Sequence, residues 1–150
     1  MAETLGMLCD KLTIVKLKEY HTSDKDRLRS LGQQSHQLRL EIDEYIGMAI
    51  KGEIPIDRMT FASNKVFKEG GNKAAEVAGT FGEIFYQLAD VNCRLWHEQE
   101  KVYEFENVPE TEKNKVVKQL ALLNLERNKC IDLINEQFAE AVTIILGLKK

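Results

Sequence analysis

Apolar residues recur at helical spacing along nearly the whole chain, and no stretch alternates as a strand would. Residues 4–21 carry a stripe of Leu5, Leu8, Leu12 and Val15, widened by Met7, Ile14 and Leu17, which predicts a first helix. A second is predicted over about 24–51 on the seam Leu28, Leu31, Ser35, Leu38, Ile42, Tyr45 and Ala49. Ser23 and Asp26 resemble a capping box at its start, and Gly52 and Pro55 end it. A third helix is expected from about Lys73 to Glu106, with Gly79 and Gly82 inside it. The fourth runs from about Glu110 to Leu146, with Pro109 at its first turn and Gly147 as its stop. Its seam is Val117, Leu120, Asn124, Arg127, Ile131, Ile134, Phe138, Ala141 and Ile145. Residues 53–72 read as an irregular crossover or lid, with a short helix over 57–67, a turn at 69–72 and Asn72 as a cap. The expected fold is all-α: one helical domain over 1–150, an elongated antiparallel bundle. The two C-terminal helices, each on the order of 50 Å long, form its spine.

The apolar seams are interrupted by polar residues in three places. The third helix carries Asn92 and Gln99 inward between Leu88, Leu95 and Val102, with Trp96 and His97 beside the seam. The fourth carries Asn124 and Arg127, and Asp10 lies at the edge of the first helix's apolar arc. An unpaired buried polar group costs about 1–3 kcal/mol, so these groups must find partners. The short break near residue 108 makes the last two helices antiparallel neighbours, and residues equidistant from it face each other. That sets residue 92 against about 124, and 89 against about 127.

The segments D-K-x-T-I-x-x-x-K at Asp10, N-x-x-L-W-H-E from Asn92 to Glu98 and N-x-x-R-N from Asn124 to Asn128 resemble motifs of an uncharacterised bacterial family of small helical proteins. That family carries N-x-x-L-W-H-x-E-D, followed after a short loop by L-N-x-x-R-N on the next helix. The resemblance covers residues 85–137 best and leaves out 24–80. Gln99 stands where the family has an acid. The resemblance implies the pairing of the last two helices and no chemistry.

Composition narrows the function classes. Of 150 residues, 43% are hydrophobic, enough for a core, and the 30% charged share suits long helices. A net charge of −3 argues against a nucleic-acid coat or a polybasic membrane binder. Cys9, Cys93 and Cys130 are widely spaced and form no C-x-x-C pair, so reduced thiols in the cytoplasm are expected. Charges run through residues 1–20, unlike a secretory leader, and no apolar run approaches a membrane span.

Two readings of the polar centre compete. In one, Arg127 pairs with Asp10 and the amides satisfy each other, so that the network only fixes helix register in a structural or assembly protein. In the other, the centre opens to capture a small anionic ligand of nucleotide or nucleotide-sugar type. Arg127, Lys16 and His97 would then supply positive charge, Trp96 a stacking face, and Asn92, Asn124 and Asp10 hydrogen bonds. This non-catalytic binding protein is the expectation carried forward. A third possibility is an all-α nucleotide pyrophosphatase holding magnesium through Glu41, Glu44 and Asp90, but Gln87 replaces one carboxylate of the required pattern. No catalytic residue or metal ligand is otherwise indicated, and no cofactor. Apolar side chains at the fourth helix's end, Phe138, Ile144, Ile145 and Leu148, should lack cover, which predicts a homodimer or higher oligomer.

Overall fold

The computed structural model describes residues 3–61 and 76–148. They form four helices: α1 (Leu5–His21), α2 (Lys25–Ile50), α3 (Phe81–Tyr103) and α4 (Glu110–Ile145). Single 3₁₀ turns lie at Ile56–Arg58 and Phe105–Asn107. The fold is all-α, with no strand among the described residues. No helix among them is long and apolar enough to cross a membrane.

Local signals set most helix ends where the periodicity places them. Thr4 caps α1, its hydroxyl accepting from the Met7 amide. Gly52 at φ 75° and Gly147 at φ 65° follow α2 and α4, in the left-handed region that glycine enters without strain. The cap of α2 is Asp24 rather than Ser23: its carboxylate accepts from the Arg27 amide at 3.0 Å. The third helix is shorter than its periodicity suggests. Gly79 has φ 127°, and Thr80 and Glu83 then form a reciprocal capping box, so the helix starts at Phe81 and not Lys73. Gly79 therefore lies outside α3, which at 23 residues is roughly 34 Å long. In place of a helix from residue 57 there is only the turn Ile56–Arg58, and residues 59–61 are irregular. The rest of that expected helix, the turn at 69–72 and the Asn72 cap lie outside the described residues.

The chain divides into two compact units, Met1–Ala62 with Ile131–Lys150, and Ser63–Cys130. In the second, α3 runs antiparallel to the first part of α4. The buried residues there are Ile84, Leu88, Val91 and Asn92 on α3 and Val116, Leu123, Leu125, Glu126 and Cys130 on α4. In the first unit, α1 and α2 are antiparallel neighbours joined by three residues, Thr22–Asp24, and the end of α4 lies against their open end. Tyr45 packs on Phe138 with ring centroids 6.1 Å apart, so Phe138 is half covered rather than bare. Ile144, Ile145 and Leu148 are exposed.

The buried stripe of α4 departs from a strict seven-residue seam. Ile131 and Ile134 are buried as expected, but Val117 is 55% exposed and Ile145 61% exposed, while Val116 and Val142 are buried instead. A helix of 3.6 residues per turn drifts about 20° per heptad against a 3.5 repeat. Two heptads either side of Ile131 that drift is about 40°, which turns Val117 and Ile145 off the centre of the buried face.

Gly6 fixes the crossing of α1 on α4. As one of the first residues of α1 it has no amide partner within its own helix. The Gly6 amide instead donates to Asn135 Oδ1 at 2.8 Å. A Cβ at residue 6 would lie 2.5 Å from the Ile131 carbonyl oxygen and 2.8 Å from Asn135 Oδ1. Gly6→Ala should therefore destabilise the chain by about 1–3 kcal/mol, the usual cost of overpacking a close contact. Urea denaturation reads this, and an unchanged midpoint would show that the helices separate freely here.

Candidate functional site

The buried charge of the second unit is a carboxylate. Glu126 is 3% exposed. Its Oε1 accepts from Gln87 Nε2 at 3.1 Å and from the Arg94 guanidinium at 3.0 Å. Gln87 and Arg94 are two turns apart on α3, so Glu126 lies between their levels, near residues 90–91. That is the helix register expected from the short break near residue 108. Arg94 also donates through Nε to Asp90 at 3.1 Å, one turn back on its own helix. One guanidinium thus joins a buried and an exposed carboxylate, and the desolvated charge is neutralised within the chain. Such a network holds two helices in register.

The sequence pattern pointed to Arg127 rather than Glu126. One residue on a helix is a 100° step, and against α3 it is Glu126 that turns inward while Arg127 is half-buried. The signal that could have found it was Gln87 and Arg94, a donor pair at seven-residue spacing on the facing helix.

The other candidate residues lie as follows. Asn92 is buried on α3, Trp96 is half-buried, and His97 is exposed with Nδ1 3.2 Å from Glu100. Asn124 is half-buried on α4 and donates to the Leu120 carbonyl at 3.1 Å. Asn128 likewise donates to the Asn124 carbonyl at 2.8 Å. These residues belong to the second unit. Asp10 and Lys16 belong to the first. Asp10 is buried, and its carbonyl accepts from the Thr13 hydroxyl at 2.7 Å. Lys16 faces solvent on the other side of α1 and meets Glu19 at 3.3 Å.

In the first unit, a cleft of about 370 Å³ lies between α1 and α2. Its floor is Ile14, Val15 and Leu38; its rims are Lys11 and Lys18 on α1 and Gln34, Gln37 and Glu41 on α2. Lys11 pairs with Glu3, and Glu41 accepts from Gln37 at 3.2 Å. Among the described residues no three His, Cys, Asp or Glu side chains gather to hold a metal. Comparisons of the chain with family models, with curated proteins and with solved structures give no match.

All three thiols are free, and only Cys93 is exposed. Burial, and secondarily the neighbouring Asp10 carboxylate, pushes the Cys9 thiol up to about 11. Burial likewise raises the Tyr45 phenol.

Two outcomes follow from these environments. Arg94→Met leaves the Glu126 carboxylate short of its charged partner, and stability should fall by about 1–3 kcal/mol in urea denaturation. Replacing Glu126 by Leu in the same chain should recover much of that loss. A loss below about 0.5 kcal/mol from Arg94→Met, the range of an ordinary surface change, would show that the network does not support the hairpin. For Cys9, the unfolded thiol ionises near its usual 9.0 and the folded one near 11. Between those values the unfolded chain binds fewer protons, so stability falls as pH rises. The expected loss across that window is about 2–3 kcal/mol, and Cys9→Ala should remove the slope.

Proposed function

We propose that this chain is a non-catalytic helical assembly protein whose α1–α2 hairpin is its binding arm. One observation carries the reading. On α1 the last buried residue is Val15, and on α2 the first is Tyr45. No residue from Lys16 to Glu44 is buried, although Leu17, Leu28, Leu31, Leu38, Leu40 and Ile42 all lie in that stretch. Four of these are half-buried and two, Leu28 and Leu40, are exposed; apolar side chains in such number along an arm that its own chain covers only in part fit a surface for association. The Glu126 network supports the same reading, since it spends the interior charge of the second unit on helix register. Three unpaired thiols suit a reducing compartment, the cytoplasm.

A second reading, capture of a small anionic ligand of nucleotide or nucleotide-sugar class, is favoured by one observation. Arg127 and Trp96 are both half-buried in the second unit, so a guanidinium and an indole face are each within a ligand's reach. The burial of a carboxylate in that unit weighs against it.

The double variant Leu28→Ser, Leu40→Ser separates an arm for association from an arm for folding. At concentrations where the chain is monomeric it should unfold within about 0.5 kcal/mol per site of the parent, as exposed positions do. A loss above 2 kcal/mol, on the order of a core truncation, would show that these leucines belong to the fold, and the reading would fail. Under the second reading, ATP or UDP-glucose with magnesium at 100 times the dissociation constant stabilises the chain by about 2.7 kcal/mol; under the first, neither moves the melting midpoint.

A further inference from the structure

Resting on the reading of α1–α2 as a binding arm, we propose that its partner is a second copy of this chain, laid face to face to make a two-fold four-helix bundle. The cleft between the helices has walls of opposite charge. The α1 wall carries Lys11 and Lys18, and the α2 wall carries Glu41 with the neutral Gln34 and Gln37. Lys18 makes no ion pair among the described residues. Because α1 and α2 are antiparallel, Lys11 lies at the level of Glu41 and Lys18 at the level of Gln34.

A two-fold axis parallel to the helices sets α1 of each copy over α2 of the other. Each Lys11 then faces Glu41 of the second copy, each Lys18 faces an amide, and the floors of Ile14, Val15 and Leu38 close on each other. Every wall meets its opposite, and the pair saturates both arms, so association stops at two. A tail-to-head arrangement would leave one arm open and grow a filament.

The area is sufficient. The arm is about 20 Å wide, two helix diameters, and about 30 Å long over Lys25–Glu44, an outline on the order of 600 Å². Accessible surface exceeds outline area, which brings each face near the roughly 800 Å² per partner of a stable interface.

Sedimentation equilibrium on the full chain at tens of micromolar should give twice the 17.2 kDa chain mass. Lys11→Glu and Glu41→Lys should each weaken the dimer roughly tenfold or more, since each places two like-charge pairs across the interface. An equimolar mixture of the two variants should recover the parent affinity, because a mixed pair restores both Lys–Glu contacts. Circular dichroism on each variant checks that helix content is kept; should either reversal lose helix, Gln34→Lys on an exposed position takes its place and must also weaken the pair, because it sets a second lysine against each Lys18. A monomer mass at every concentration overturns the proposal, as does a dimer that ignores the reversals or fails to recover on mixing. A monomer whose Leu28→Ser, Leu40→Ser variant keeps its stability leaves the binding arm standing and removes only the second copy as its partner.

Discussion

The first unit depends on a close crossing of two backbones at Gly6. The α1 backbone sits on α4 so closely that the Ile131 carbonyl and the Asn135 amide oxygen occupy the space of a side chain. The same contact satisfies an amide that a helix start cannot satisfy alone. Everything buried in α1 lies from Leu5 to Val15, around this point, and everything buried in α2 lies at Tyr45 and beyond. Tyr45 meets Phe138, and a Cβ at residue 52 would lie 3.7 Å from Leu146 Cδ1. The end of α4 thus covers the open end of the hairpin, and no residue from Lys16 to Glu44, toward the closed end, is buried. Exposure of the arm is a consequence of where the crossing falls.

The two units treat their difficult groups in opposite ways. In the second, the costly group is a buried charge, and the chain supplies its own donors from Gln87 and Arg94. In the first, the costly feature is apolar surface along an arm, and the chain covers it only in part. A satisfied charge fixes a structure; an unsatisfied apolar face calls for another surface. The functional reading follows from that asymmetry, because only the second kind of feature points outside the molecule.

Much of this was legible in the residues. The limits of α1, α2 and α4 follow from periodicity closed by Thr4, Gly52 and Gly147, where a cap or a left-handed residue leaves the backbone little choice. The start of α3 was equally written in the chain, as glycine, threonine and glutamate at 79, 80 and 83, but the apolar repeat upstream masked it. The register of α3 on α4 came from the short break between them. The buried carboxylate did not, because the seam of α4 reads as one face along its whole length, whereas Glu126, a 100° step from Arg127, is the residue that faces the donors of α3. The cleft could not be read at all. Lys11 and Lys18 look like ordinary solvated positions until α2 supplies the opposite wall, and that is a fact of packing, absent from either helix taken alone.

The central claim is that residues 16–44 form a surface for association and add little to the fold of the single chain. Amide hydrogen exchange, followed peptide by peptide at low and high protein concentration, measures this directly. In dilute protein, amides of residues 16–44 should exchange well before those of Leu8–Val15 and Tyr45–Ile50, and at high concentration they should gain the most protection. Equal protection of the arm and the crossing at both concentrations would contradict the account.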